Sequence, residues 1–188
     1  MESVVNPVTK LEGSVCVPGD KSISHRAIML GSLSKGTTRI HGFLMGEDCL
    51  STVSCFRKLG ISIHIRSEAV EVKGNGLWGL RAPSDILDSG NSGTTSRILL
   101  GILAGQRFDS AITGDPSLCR RPMDRVVRPL TLMGANIHGV HDDNYLPLII
   151  KGQPLKGISY TLPVASAQVK SSLIMAALFS QGTTRITE

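Results

Sequence analysis

The chain has 188 residues, of which 41% are hydrophobic and 19% charged, with a net charge of +5 and a pI near 9.2. That length holds one sizeable domain or part of a larger protein. Lysine and arginine are scattered without runs and aromatics reach only 4%, so a small acidic molecule suits the charge better than a nucleic-acid backbone or a base-stacking platform.

The longest apolar stretch, Leu173 to Phe179, falls far short of the roughly 20 residues a membrane span needs. The N-terminus has no charged segment leading into an apolar core, which argues against a secretory signal. Cys16, Cys49, Cys55 and Cys119 form no CxxC pair and show no metal spacing, which suits a reducing compartment. Together these features predict a cytoplasmic protein without a membrane partner. His25, His41, His64, His138 and His141 lack zinc-site spacing, and His138-x-x-His141 crosses a strand and a turn. No metal site is expected.

In chain order, an alternating apolar run ends at Pro18-Gly19, and a helical pattern then starts through Ile23, Ala27, Ile28, Leu30 and Leu33. Asp20 or Ser22 can cap this helix by accepting a hydrogen bond from a free backbone N–H. Lys21 and Arg26 oppose the positive end of the helix dipole, at a cost of a few tenths of a kcal/mol, unless an anion lies between them. The bland alternative is a capped helix with two solvated charges. Gly36 is expected to end the helix, and β-branched Thr37 to Ile40 to form a strand.

Glu47 and Asp48 open a second helix whose Leu50, Val53, Phe56 and Leu59 share one face, and Gly60 ends it. Ile61, Ile63 and Ile65 then alternate as a half-buried strand, followed by Val70 and Val72 before Gly74-Asn75-Gly76. Further on, Pro122 is expected to start a helix over Asp124 to Met133. Asp142-Asp143-Asn144 turns the chain into a strand from Leu146 to Ile150.

Parts of the chain resemble one another. Ser24 to Ile40 recurs as Lys170 to Ile186, with a weaker copy at Ser96 to Gly105 and Phe108 to Thr113. Cys49 to Ile63 likewise matches Asp124 to Ile137. The shared unit reads strand, helix, strand, helix and two strands, with two complete units and a third about half present. A chain that stops within a repeat predicts a fragment.

Each unit opens where a strand meets a helix N-terminus, at Asp20-Lys21-Ser22, at Gly90-Asn91-Ser92-Gly93-Thr94-Thr95 and at Ala165-Ser166-Ala167-Gln168. Small residues, hydroxyls and amides there leave backbone N–H groups available to an anion. Arg120-Arg121-Pro122 adds two guanidinium groups. Any one turn alone is an ordinary loop, but their recurrence points to a shared ligand groove.

Gly19 to Arg26 (GDKSISHR), Gly90 to Thr94 (GNSGT), Arg121-Pro122-Met123 and Pro163 to Ser171 (PVASAQVKS) together resemble the EPSP synthase family. The resemblance implies a mixed α/β (α+β) fold of repeated βαβαββ units packed around buried helices, one lobe of an inside-out α/β barrel of the enolpyruvyl transferase type. Residues 20–188 would form most of the N-terminal substrate-binding lobe. Residues 1–19, with a strand near Val8 to Val17, would belong to the opposite lobe.

The reaction implied moves the enolpyruvyl (carboxyvinyl) group of phosphoenolpyruvate to the 5-hydroxyl of shikimate-3-phosphate, without a cofactor, in the shikimate pathway to aromatic amino acids. By matched motif, Lys21, Ser22, Arg26, Ser166 and the backbone of Ala167 would hold shikimate-3-phosphate, although many relatives carry a second Ser at the Ala167 position. Gly93 and Arg121, with Asn91 close by, would bind phosphoenolpyruvate, and Lys21 would touch it as well. Gln168 would lie between the substrates, making Lys21 and Gln168 the catalytic candidates in this stretch. Glyphosate, the herbicide that mimics phosphoenolpyruvate, would bind beside Gly93.

Asp20, Glu47, Asp88 and Asp115 read as caps and turn formers, which leaves these turns without an acid/base pair; the resemblance implies that those groups come from the C-terminal lobe. Two rivals differ in kind. A UDP-N-acetylglucosamine enolpyruvyl transferase typically carries a catalytic loop Cys and lacks the DKSISHRA motif, and a non-catalytic anion- or RNA-binding module rests on net charge alone.

Overall fold

The computed structural model describes residues 3–67 and 69–188. The first helix, α1 (Lys21–Leu33), is capped by Asp20, whose carboxylate accepts from the Ile23 N–H at 2.7 Å. It ends two residues before Gly36, at Ser34, whose N–H returns to the Leu30 carbonyl and whose hydroxyl donates to Gly31. Those local bonds close the helix early. Gly36 instead takes its positive φ of 99° inside the strand β1 (Lys35–His41).

After β1 come α2 (Glu47–Lys58), β2 (Ser62–Ile65) and β3 (Ala69–Asn75). The three strands form an antiparallel sheet in the order β1-β3-β2, with Val72 facing both Thr38 and Ile63. Gly60, at φ 86°, makes the turn out of α2. Val53, Phe56 and Leu59 are buried as expected.

The second unit repeats this plan with one strand more. It comprises β4 (Leu87–Asp88), α3 (Gly93–Ala104), β5 (Ser110–Thr113), the short α4 (Pro116–Cys119), α5 (Asp124–Leu132) and β6 (Asn136–Gly139). A left-handed turn, α6 (Val140–Asp143), leads into β7 (Tyr145–Lys151). Strand order is β4-β5-β7-β6, so β5, β7 and β6 stand where β1, β3 and β2 stand in the first unit. Pro122 does not open α5. It precedes the N-cap Met123, and a different proline, Pro129, lies inside the helix.

In the third unit β8 (Leu155–Lys156) and β9 (Ser159–Thr161) precede α7 (Ala167–Ala177), and β10 (Ser180–Gln181) and β11 (Arg185–Thr187) follow it. β8 pairs with β10 and β9 with β11, both parallel, as β4 pairs with β5. The first unit has no counterpart of β4 among the described residues. Residues 3–20 belong to no helix or strand, and Val4, Val8, Val15 and Val17 stand 64–86% exposed. Alternating valines form a stable strand only where a sheet covers one face, and no sheet among the described residues does so at Val8 to Val17.

The units meet on their first helices. α3 is buried nearly all round, with Ile98, Leu99, Leu100, Ile102 and Leu103 at 0% exposure, as a helix at the centre of a core must be. It packs along α7, where Gly101 faces the backbone of Ser172. No helix among the described residues is long and apolar enough to cross a membrane.

Candidate functional site

The repeat brings the N-termini of α1, α3 and α7 to one end of the core, and hydrogen bonds join all three. Arg26 on α1 donates through Nη2 to the Ser171 hydroxyl on α7 at 2.7 Å, and through Nη1 to the Ser22 carbonyl at 3.1 Å. Gln168 on α7 donates to the Thr94 hydroxyl on α3 at 3.0 Å. Ser92 and Ser166 cap α3 and α7 by accepting from Thr95 and Val169 N–H groups. Lys21, Ser22, Asn91, Arg121 and Ala167 are exposed at this end, Arg26, Ser166 and Gln168 are half-buried, and Gly93 is buried. A cavity of about 560 Å³ lies at the opposite ends of α3 and α7, lined by residues such as Trp78, Arg107 and Phe179, and contains none of the site residues.

The cations that looked misplaced at the start of α1 find partners here. Lys21 Nζ pairs with the Asp48 carboxylate at 2.8 Å, and that hydrogen bond raises the lysine pKa. Asp48 belongs to the first turn of α2, so one carboxylate serves both its own helix dipole and the ammonium at the start of α1. Its backbone carbonyl also accepts from the Thr95 hydroxyl at 3.4 Å, linking this pair to α3. Asp20, Asp88 and Asp115 act as the caps and turn formers expected, accepting from Ile23, Gly90 and Leu118 N–H groups.

Beneath the surface runs a polar chain that spacing alone did not suggest. His25 Nδ1 meets the Thr52 hydroxyl at 2.6 Å, Thr52 meets Thr95 at 2.7 Å, and Thr95 reaches the Ser92 cap at 2.7 Å. All four residues are fully buried and His25 Nε2 has no partner among the described residues. Burial pushes the imidazole down to about 4, with Lys21 and Arg26 reinforcing the fall and Asp48 opposing it. Because the folded pKa lies below the ordinary value of 6.5, this stabilisation is fully present above pH 6.5. It is lost as pH falls from there towards 4, up to about 3 kcal/mol. Urea unfolding followed between pH 7 and 4 should show this loss, and His25→Gln should flatten that segment of the profile.

Around α4 the side chains form a second cluster. Arg121 Nη2 donates to Asn91 Oδ1 at 2.8 Å, and Asn91 Nδ2 donates to Asp115 at 2.6 Å. Arg97 was not among the residues expected at the site. Its Nη1 donates to Gln168 Oε1 and its Nη2 to the Pro122 carbonyl, both at 3.2 Å. Burial, with Arg125 and Arg121 nearby, lowers its pKa, and among the described residues it meets no carboxylate. Its position was legible in principle, because a residue four places after Gly93 lies on the same helix face one turn further on. The site therefore gathers Lys21, Arg26, Arg97 and Arg121 around three helix N-termini, with part of their hydrogen-bonding capacity left for an anion.

A family profile described as EPSP synthase (3-phosphoshikimate 1-carboxyvinyltransferase) matches residues 5–188. The 3-phosphoshikimate 1-carboxyvinyltransferase of Alkaliphilus metalliredigens is 57% identical over 185 residues, 98% of this chain and 44% of its own length. That of Geobacillus thermodenitrificans is 58% identical over 181 residues, 96% of this chain and 42% of its own. A 2.37 Å structure of EPSP synthase from Acinetobacter baumannii superposes with a TM-score of 0.90 at 50% identity, covering 94% of this chain and 40% of that one. This chain spans less than half the length of the curated relatives it matches. The repeated units, the three helix N-termini and the match from residue 5 to residue 188 lead to one assignment: the chain belongs to the EPSP synthase family.

Proposed function

We propose that the chain is the portion of a 3-phosphoshikimate 1-carboxyvinyltransferase that binds shikimate-3-phosphate and phosphoenolpyruvate, with a C-terminal lobe completing the active site. The observation that carries this reading is the convergence of α1, α3 and α7 with Lys21, Arg26 and Arg121 at one end of the core. Lys21, Ser22, Arg26, Ser166 and the Ala167 backbone take the phosphorylated sugar acid. Arg121, Asn91 and Gly93 take the enolpyruvyl donor, and Gln168 lies between the two. Residues 1–19 pair with the opposite lobe, which gives Val8 to Val17 the sheet they lack here.

Two polyanions held side by side repel each other, and fixed cations have to offset that repulsion. A helix dipole supplies at most about 1 kcal/mol at an exposed site. Micromolar affinity needs roughly 8 kcal/mol before association costs. Several charge-assisted hydrogen bonds of about 1.5–3 kcal/mol are thus required, and Lys21, Arg26 and Arg121 can donate them.

In the reaction the 5-hydroxyl gives its proton to a base and its oxygen adds to C2 of phosphoenolpyruvate while C3 takes a proton. Phosphate then leaves the tetrahedral intermediate as C3 gives a proton back, and the enol ether forms. Lys21 and Gln168 neutralise and orient the reacting groups from this side. The acidic residues near them serve as caps or ion-pair partners, so the proton-transfer groups come from the other lobe. Calorimetric titration with shikimate-3-phosphate should give weak binding to the 188-residue chain and tight binding once the C-terminal half is added. Steady product formation by the chain alone would refute the division of labour, and no saturable response in either case would refute the substrate assignment.

A further inference from the structure

Arg121 and Asn91 have assigned places in the proposed site, whereas Asp115, which bonds Asn91 on the side away from Arg121, has been given no role beyond capping α4. Its Oδ2 accepts from Asn91 Nδ2 at 2.6 Å, and Asn91 Oδ1 accepts from Arg121 Nη2 at 2.8 Å. Charge fixes the direction of the amide, because only its NH2 can face a carboxylate and only its oxygen can face a guanidinium. Arg121 Nη2 also donates to the Ser117 hydroxyl at 3.2 Å. Its Nε and Nη1 have no protein partner among the described residues, so the ordered guanidinium presents its free N–H groups outward.

Asp115 is itself held tightly. Its Oδ1 accepts from the Leu118 N–H at 2.7 Å and its own N–H donates to the Gly90 carbonyl at 2.8 Å. A Cβ at the preceding Gly114 would lie 2.7 Å from that same carbonyl oxygen, so the two loops touch backbone to backbone. The Asn91 amide, followed by the Leu118 N–H, holds the Asp115 carboxyl below its ordinary pKa.

We infer that Asp115 is a positioning residue, which orients Asn91 and through it aims Arg121 at the carboxylate or phosphate of the enolpyruvyl donor. This rests on the proposed function. The effect is selective, because Lys21 and Arg26 are held by Asp48 and Ser171 through bonds that do not involve Asp115. A residue that merely capped α4 would have no such selectivity.

Two substitutions separate the roles in the whole enzyme that contains this chain. Asp115→Ser keeps a good N-cap with a side chain too short to reach Asn91. Asp115→Asn keeps the length but loses the charge that orders the amide. Both should raise KM for phosphoenolpyruvate about tenfold, the size of a misplaced charge-assisted hydrogen bond, while KM for shikimate-3-phosphate stays within about twofold. Asp115→Ser added to Asn91→Ala should raise the phosphoenolpyruvate KM no further, as expected of residues acting in series. An unchanged phosphoenolpyruvate KM, an equal rise in both KM values, or additive effects in the double variant would overturn the inference. An unsubstituted enzyme that consumes no phosphoenolpyruvate would overturn the functional reading beneath it.

Discussion

Gly101→Ala should destabilise the chain by about 3 kcal/mol, at the upper end of the usual overpacking cost and a large part of the roughly 5–15 kcal/mol that holds a domain together. A Cβ at position 101 would lie 2.8 Å from the Ser172 hydroxyl and closer still to the Ser172 carbonyl oxygen. Ordinary carbon–oxygen contacts start near 3.3 Å, so α3 and α7 would have to separate. Neither helix can give way easily, because Leu100, Ile102, Leu173 and Ala176 around the contact are all fully buried. Better helix propensity returns about 1 kcal/mol and does not offset the clash. Ser172→Ala removes the hydroxyl but leaves the carbonyl, so the double variant should remain destabilised. Thermal unfolding is the measurement, with a fall of roughly 10 °C expected. An unchanged melting temperature would mean that α3 and α7 do not approach so closely.

That contact also shows which features the sequence could reveal. The repeat was visible because Ser24 to Ile40 and Lys170 to Ile186 are alike residue by residue, and α1 with β1 and α7 with β10 and β11 occupy those ranges. The three turns were visible because caps and glycines leave local signatures, and Asp20, Ser92 and Ser166 do cap their helices. Local signals still misplaced two boundaries. Gly36 looked like a helix stop, yet Ser34 had already ended α1, and Pro122 looked like a first helical residue, yet Met123 intervenes.

Long-range polar contacts left no local trace. His25, Thr52 and Thr95 lie 27 and 43 residues apart in sequence and meet only when three helices pack. Arg97 likewise reaches Gln168 across 71 residues. Helix periodicity could place it under Gly93, but nothing in the spacing of α3 and α7 says that Gln168 is its partner.

Gly93→Ala brings that hidden arginine into the chemistry. The new methyl would press on Arg97 Nη1 and lie 3.7 Å from Leu118 Cδ1. Leu118 is fully buried, so the guanidinium is the part that must yield. To do so it has to leave Gln168 Oε1, the bond that fixes the orientation in which the amide donates to Thr94. If the enolpyruvyl donor binds at Gly93 as proposed, the substitution should weaken phosphoenolpyruvate and glyphosate by roughly ten- to a hundredfold, the range of one or two charge-assisted hydrogen bonds. Shikimate-3-phosphate should be held almost as before, because the methyl touches neither the Lys21–Asp48 pair nor the Arg26–Ser171 bond. Titrations of an intact enzyme with each ligand decide the matter, and equal losses for all would contradict the separation. Arg97→Met supplies the mechanistic control. If the methyl acts by displacing Arg97, the two substitutions together should cost little more than the worse of them alone. A fully additive loss would instead mean that the methyl meets the ligand directly.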